Sequence, residues 1–402
     1  MKLTISNLGN ITDSGEMNIK PVTVLCGDQG SGKSTILKLF STFNWLEKAL
    51  YREELKKDYV TRFNRFVKRY CSYHNIENYF KEDTSIKFVG NIYTFVYEKG
   101  KLNIKENNLN GKDVKIPQVM YVPAERNLIG AIKDSDEIGS LPFALLTMIK
   151  EYNNAAKSEG EMKFPFKNLS FHYDRLNKTS WILGNDFKIQ LHEVASGIQS
   201  VTPLLLVTKY LSEKVNKTDL SKLSLEELDL LTKRMEFINT NKDIDATVRR
   251  LLVSKLNAFA HRNDYFINIV EEPEQNLFPK SQGLVLNELL SVVNKTKGNM
   301  LLFSTHSPYM ISYLTLAIEA YQIASQSKVY DEERLNRIVP QSSRVNPDDV
   351  AIYQVSDEGK VDLLEMDLGL PIDDNFLNNQ LAYTNDLFDD LLDIEENATK
   401  RN

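Results

Sequence analysis

The residues Gly27 to Thr35 carry the clearest chemistry in this sequence of 402 residues. They match the pattern G-x-x-x-x-G-K-[ST], with a β-rich run before them and a helical pattern after them. In that pattern backbone N–H groups surround the β- and γ-phosphates, the lysine reaches the same oxygens and the next hydroxyl binds Mg²⁺. We therefore predict a site for ATP and Mg²⁺, in which Lys33 also acts in catalysis, formed by Gly27, Gly30, Ser31, Gly32, Lys33, Ser34 and Thr35.

Two adjacent acids follow a second apolar run. Ile267 to Val270 is typical of a buried strand, and it is followed by Glu271, Glu272 and Pro273. A carboxylate at the end of a strand can bind a Mg²⁺ ion, and a neighbouring carboxylate can activate water for attack on the γ-phosphate. We predict Glu271 as a metal ligand, beside Ser34, and Glu272 as the catalytic base. The alternative is that the two acids only begin a turn.

A histidine ends the next apolar run. Leu301 to Ser304 is typical of a buried strand, and Thr305 and His306 follow it. If the strand of the acids and this strand end at one edge of a sheet, His306 can hydrogen-bond the γ-phosphate or the attacking water. We predict a catalytic role for His306, although a lone histidine at a strand end is more often structural.

The segment Glu193 to Gln199 contains a Ser-Gly pair at the start of an apolar helical pattern. This position predicts Ser196 at or near the N-cap of a helix, where exposed N–H groups can bind an anion. Taken alone, the segment is more typical of an ordinary helix start.

The strands and helices alternate along the chain. A β-rich run at Ile19–Leu25 precedes a helical pattern at Lys33–Leu50, and the two apolar runs described above are separated by another helical pattern. Such alternation predicts an α/β fold in which helices cover a sheet. The last residues, Asp386 to Glu396, predict an acidic amphipathic helix that either docks on a partner or covers the chain's own core.

Composition excludes several classes of protein. The two cysteines, Cys26 and Cys71, form no C-x-x-C pair and no Cys/His cluster, which argues against a zinc ribbon or a redox pair. No secretory signal and no membrane-spanning run is visible, so we expect a cytoplasmic protein without a membrane partner. The net charge of -6 gives no general attraction to nucleic acid. The local basic residues of segment 56–69 are typical of a solvated helix face, with DNA binding as the alternative.

The order of these four motifs resembles the ABC ATPase superfamily, and more narrowly the branch of SMC, RecF and OLD proteins. The resemblance covers about residues 1–340. It implies that the signature residues Ser196, Gly197 and Gln199 bind the γ-phosphate of ATP held by another subunit, so that the protein is at least a homodimer. It also implies that Pro273–Pro279 is the D-loop and that His306 is the switch histidine.

Two positions differ from the family pattern. Glu271 stands where many members carry aspartate, and the glutamine of the Q-loop is not securely placed. The segment Tyr121–Arg126 occupies that region, and Glu125 or Arg126 is a candidate for its role.

Several features of SMC and OLD proteins are missing from the sequence, which narrows the range of family members that it resembles. The sequence shows no SMC heptads or zinc hook and no Toprim-like spacing of acids after Pro308. It therefore looks like a stand-alone ATPase of the type found as the ATPase subunit of the PARIS anti-phage system. Such a protein would sense infection and control a separate effector, which we expect to be a nuclease. The alternatives are a RecF-like DNA repair ATPase that clamps DNA when ATP binds, and a nucleotide-binding scaffold without hydrolysis.

The predicted organisation is an ABC-type ATPase head with a mixed central sheet, flanking helices and an inserted helical lobe. Residues 1–135 form an ATPase lobe with an inserted segment at 51–115, and residues 136–262 form a helical lobe that bears the signature. Residues 263–340 carry the acids, D-loop and histidine, and residues 341–402 form an acidic tail.

Overall fold

The computed structural model describes residues 1–108, 114–132, 141–215, 232–233, 235–238, 240–241, 263–326 and 329–399. Its strands are β1 (Lys2–Leu8), β2 (Ile11–Asp13), β3 (Met17–Asn18), β4 (Val22–Gly27), β5 (Phe80–Val89), β6 (Tyr93–Glu98), β7 (Lys101–Glu106), β8 (Pro117–Val122), β9 (Glu161–Lys163), β10 (Ser170–Asp174), β11 (Thr179–Leu183), β12 (Lys188–Gln190), β13 (Tyr265–Glu271), β14 (Met300–Thr305), β15 (Val350–Val355), β16 (Val361–Leu363), β17 (Met366–Asp367) and β18 (Leu370–Pro371). Its helices are α1 (Lys33–Tyr51), α2 (Lys57–Thr61), α3 (Asn127–Ala131), α4 (Phe143–Glu159), α5 (Ser196–Lys214), α6 (Pro279–Lys295), α7 (Pro308–Gln326), α8 (Glu332–Ile338) and α9 (Phe376–Thr399).

The central sheet is mixed and helices flank it, so the predicted α/β class is confirmed. Its strand order is β16-β15-β4-β14-β13-β8, and every neighbouring pair is parallel except β15 and β16. These strands are near-continuous apolar runs because helices cover both faces of the sheet. Their parallel direction brings the ends of β4, β8, β13 and β14 to one edge, where the residues that follow these four strands meet.

A second, antiparallel sheet packs on the side of α1. Its order is β2-β1-β5-β6-β7, with β3 also paired to β1. The segment 51–115, predicted as an insert, thus supplies three strands that extend the sheet of the N-terminal strand. Phe43 of α1 stacks on Phe88 with ring centroids 5.1 Å apart, and both rings are fully buried. Burial of each such ring stabilises the fold by about 2–3 kcal/mol.

The signature helix α5 lies against the other face of the central sheet. Its buried Leu204, Leu206 and Val207 join the same core as Phe266 and Val270 of β13. A small antiparallel sheet, β12-β11-β10-β9, precedes α5 in the chain, so the described part of 136–262 combines this sheet with α4 and α5. The predicted inserted helical lobe falls on residues 217–262, nearly all of which lie outside the described residues.

The C-terminal segment contributes strands β15 and β16 to the central sheet and ends in helix α9. Within 341–402, the predicted acidic tail, strand β15 pairs with β4 beside the glycine-rich loop. The acidic helix is α9, whose side chains are largely exposed from Tyr383 to Ile394. In the part of the chain that the structure describes, no helix is long and apolar enough to span a bilayer.

Candidate nucleotide site

The glycine-rich loop connects β4 to α1 at the carboxyl edge of the central sheet. Gly27 ends β4 with φ 145°, and a Cβ atom there would lie 2.2 Å from the carbonyl oxygen of Val355. Gly32 directly precedes α1 with φ 115°. Only glycine fits these positions without strain, because both have a positive φ and Gly27 also lies in close contact with backbone. The loop therefore directs the start of α1 towards the sheet edge. The free N–H groups and the positive end of the helix dipole both lie there.

Lys33 is the first residue of α1 and is almost fully buried. Its ammonium group donates to the carbonyl oxygens of Gly27, at 3.0 Å, and Asp28, at 2.6 Å. Burial lowers the pKa of Lys33, and the nearby negative charge of Glu272 opposes that change. The lysine of the loop and the predicted base are thus close enough for their charges to interact.

Glu271 ends β13 at the level of Ser304 on the neighbouring strand. Its Oε2 accepts a hydrogen bond of 3.1 Å from the N–H of Ala124, whereas its Oε1 is buried and accepts no hydrogen bond of good geometry from the described residues. The hydroxyl of Tyr121 interacts with the same carboxyl group. A buried carboxylate oxygen without a partner is disfavoured unless a cation or donor satisfies it. Carboxylate and hydroxyl oxygens are ligands that Mg²⁺ prefers, so the chemistry of Glu271 and Ser34 fits the predicted metal.

Glu272 has an unusual backbone and a histidine neighbour. Its φ is 44°, and its N–H donates to the carbonyl oxygen of Ser304 at 3.0 Å. Its Oε1 lies 3.5 Å from Nε2 of His306, and both side chains are about one-third exposed, at 36% and 34%. Contact with His306 lowers the pKa of Glu272 below its usual value, against the opposing effect of burial. The carboxylate is therefore ionised at neutral pH and can accept a proton.

Glu274 holds the histidine in place. Its buried Oε1 accepts hydrogen bonds from the hydroxyl of Thr305, at 2.8 Å, and from the backbone N–H of His306, at 2.9 Å. The same turn continues to Gln275, whose Oε1 accepts from the hydroxyl of Ser200 on α5 at 3.1 Å. The predicted D-loop therefore contacts both the histidine strand and the signature helix of its own chain.

Ser196 is the first residue of α5, and Ala195 is its N-cap, without a side-chain hydrogen bond to the helix. Ser196 therefore lies next to the N-cap, as predicted. Ser196 is exposed, and Gly197 lies against the backbone of Asn276, where a Cβ would be 2.5 Å from the carbonyl oxygen. The side chain of Gln199 donates to the carbonyl oxygen of His192 at 3.0 Å.

The structure thus brings three of the four predicted motifs to one edge of the central sheet. The loop at 27–35, the acids at 271–272 and His306 follow neighbouring parallel strands at one edge. Among the hydrogen bonds of the described residues, none joins the tip 195–199 to the loop 27–35.

Arg126 is a site residue to which the sequence assigned no specific contact. It is fully buried, and its Nη1 donates to the carbonyl oxygens of Glu271, at 2.6 Å, and Pro123, at 3.3 Å. Its Nη2 donates to the carbonyl oxygen of Glu272 at 2.5 Å. Burial lowers the pKa of Arg126 to about 10, so the guanidinium keeps its charge at neutral pH.

No family model and no curated protein matches the sequence. Among solved structures, the chain is similar to the SMC head domain from Thermotoga maritima, with 9% identity, 91% of this chain and 98% of that chain covered, and a TM-score of 0.37. It is also similar to the recombination mediator protein RecF, with 13% identity, coverage of 90% and 97%, and a TM-score of 0.32. A dimeric bacterial ABC transporter cassette matches with 11% identity, coverage of 90% and 96%, and a TM-score of 0.24.

Proposed function

We propose that this protein binds Mg-ATP at the loop 27–35 and hydrolyses it between two copies of the chain. The observation that carries the proposal is the grouping of three side chains at one edge of a parallel sheet. The charge of Glu272 acts on the buried ammonium of Lys33, and the same carboxylate lies 3.5 Å from His306. A cation, a base and a polarising imidazole in one place suit phosphoryl transfer to water.

The loop residues would bind the triphosphate of ATP. Lys33 would exchange its bonds to the carbonyl oxygens of Gly27 and Asp28 for bonds to the β- and γ-phosphates. The N–H groups at the start of α1 would face the same oxygens. Ser34 and Glu271 would hold Mg²⁺, which supplies neutralisation of the charge that develops on the phosphate oxygens.

Glu272 would act as the general base. It takes a proton from water while the water oxygen bonds to the γ-phosphorus and the bond to the β–γ bridging oxygen breaks, which gives ADP and inorganic phosphate. His306, placed through its N–H by Glu274, would hydrogen-bond the γ-phosphate or the attacking water.

The second copy would complete each site. Ser196 is exposed at the tip of α5 and carries helix N–H groups, but this tip packs on its own D-loop instead of its own phosphate loop. In a two-fold dimer each tip can face the loop of the other copy, because the same two surfaces meet twice. Such a composite site would make hydrolysis depend on association.

ATP turnover by purified protein tests this proposal directly. Wild type should release phosphate in a Mg²⁺-dependent reaction, and Lys33→Ala should show neither tight ATP binding nor turnover. Glu272→Gln should bind ATP without turnover, which separates a hydrolase from a binding scaffold. If Glu272→Gln hydrolyses ATP as wild type does, the assignment of the base is wrong.

We further assign the protein to anti-phage defence, as an ATPase that senses infection and controls a separate effector, which we expect to be a nuclease, in the cytoplasm. The exposed helix α9 supports a docking role. It presents acids beside the following apolar side chains, each more than 40% exposed: Tyr383, Leu387, Phe388, Leu391, Leu392 and Ile394. An apolar stripe on an exposed helix is typical of a surface that binds a partner.

Removal of the exposed part of α9 tests its role. A chain ending at residue 380, which keeps the buried Leu377 and the contact of Phe376 with Gln354, should keep wild-type ATP turnover, lose co-purification with a nuclease encoded by a neighbouring gene and lose protection against phage. If the shortened chain still binds that nuclease and still protects, α9 is not the docking element.

The alternative function is that of a RecF-like ATPase that clamps DNA. The segment 56–69 supports it, because Phe63 is 81% exposed beside the guanidinium group of Arg65, while Arg69 lies over the ring of Tyr59. Two of its cations are already paired within the chain, Lys57 with Glu106 and Arg62 with Asp58. Electrophoretic binding of duplex DNA that ATP strengthens and salt weakens steeply would favour this alternative over the effector role.

A further inference from the structure

A buried arginine fixes the backbone of the two acids. Both terminal nitrogens of Arg126 donate to main-chain carbonyl oxygens, one to Glu271 at 2.6 Å and one to Glu272 at 2.5 Å. Hydrogen bonds from a charged donor are stronger than those between neutral groups, particularly away from water. A fully buried arginine is rare in proteins and requires such partners.

The residue that Arg126 holds has a strained conformation. Glu272 has φ 44°, a region that residues with a side chain seldom occupy and that persists only when neighbouring groups fix it. Its carbonyl is fixed by Arg126 and its N–H by the carbonyl of Ser304. This backbone directs the carboxylate to within 3.5 Å of His306.

The segment that carries Arg126 also contacts the signature helix. Arg126 directly precedes α3, and Gly130 of α3 lies against the backbone of Gln199 near the tip of α5. A Cβ at Gly130 would lie 2.6 Å from the carbonyl oxygen of Gln199, so the two backbones are in direct contact. The short segment 126–130 therefore contacts the backbone of Glu271 and Glu272 at its first residue and the tip of α5 near its end.

We propose that Arg126 is a positioning residue that sets the backbone of Glu271 and Glu272 and, through α3, ties it to the tip of α5. It acts through carbonyl groups and not through contact with the nucleotide. This inference rests on the proposed function only in taking Glu272 as the base. A shift of the α5 tip when a second copy binds would then move the carboxylate of Glu272, which makes turnover sensitive to assembly.

The test compares Arg126→Gln and Arg126→Lys with a matched variant, Arg344→Gln. Arg344 is also buried and bonds Glu332 and Asn336 on α8, which lies outside the site. Arg126→Gln should keep ATP affinity within about threefold of wild type while kcat falls about tenfold or more, with partial recovery in Arg126→Lys. Arg344→Gln should change neither quantity.

Hydrogen exchange supplies a readout that does not need turnover. In Arg126→Gln the amides of the peptide that spans Glu271–Glu274 should exchange about tenfold faster than in wild type, and in Arg344→Gln they should not. Equal exchange and equal kcat in Arg126→Gln and wild type would overturn the inference. Loss of ATP affinity in proportion to kcat would also overturn it, because a general structural role produces that result. A wild-type protein without ATP turnover would refute the proposed function, and the exchange comparison would still decide whether Arg126 holds the acids.

Discussion

Oε1 of Glu272 lies 3.5 Å from Nε2 of His306, across the ends of two neighbouring parallel strands. This contact is the largest cause of the lowered pKa of Glu272, and the charges of Arg126 and Lys33 act in the same direction. A base with a lowered pKa stays deprotonated as the medium becomes acidic. As the proposed base, Glu272 would therefore be active over a wider pH range than an isolated glutamate.

His306→Ala should narrow the pH range over which Glu272 is deprotonated. Without the imidazole the pKa of Glu272 rises, so the acidic limb of the kcat profile should move to higher pH. The check is a pH-rate profile of both proteins at saturating ATP. His172→Ala is a matched control, since His172 pairs with Glu161 at 3.3 Å on the small antiparallel sheet. An acidic limb that stays in place in His306→Ala would contradict the pairing.

Replacement of the base should trap the nucleotide. Glu272→Gln keeps the size of the side chain but removes the proton acceptor, so kcat should fall by about 100-fold or more while ATP binding remains. Bound ATP would persist between two copies. In the presence of ATP, the dimeric fraction of Glu272→Gln should therefore be larger than that of wild type. Light scattering after gel filtration, with and without Mg-ATP, measures this change. Glu161→Gln should behave as wild type, and a monomeric Glu272→Gln protein in ATP would contradict the shared site.

The positions of the predicted site residues at strand ends follow from short-range features of the sequence. Apolar runs ending in a glycine loop, an acidic pair and a Thr-His pair predicted strands near β4, β13 and β14, and these strands are confirmed. Parallel strands share a carboxyl edge, so the three motifs had to meet once the strands were placed side by side.

The contacts of Arg126 could not be predicted in the same way. Its partners are carbonyl groups, which every residue carries, and they lie far along the chain at Glu271 and Glu272. A sequence pattern shows side-chain types and not which main-chain groups approach them. For the same reason the contact between Gly197 and the backbone of Asn276 became visible only in the structure.

A charge at the α5 tip tests the composite site. Ser196→Arg should leave ATP binding close to wild type and abolish turnover, because the arginine side chain would block the site of the other copy. Mixed with Lys33→Ala, it should regain about a quarter of wild-type turnover, since about half of random dimers contain one intact pair of loop and tip. Ser325→Arg, at an exposed position near the end of α7, is the control and should leave turnover unchanged. Failure of the mixture to recover any turnover would show that the tip and the loop do not meet across two copies.

The end of β4 gives a test of stability that is independent of catalysis. Gly27→Ala adds a Cβ 2.2 Å from the carbonyl oxygen of Val355 at φ 145°, whereas Gly100→Ala adds one at φ 73° with no atom within 4 Å. Gly100→Ala should lower the free energy of unfolding by about 1 kcal/mol from backbone strain alone. Gly27→Ala should lower it by about 3 kcal/mol or more, because β4 or β15 must move as well. Urea unfolding measures both, and equal losses would show that the pairing of β4 with β15 does not constrain the glycine-rich loop.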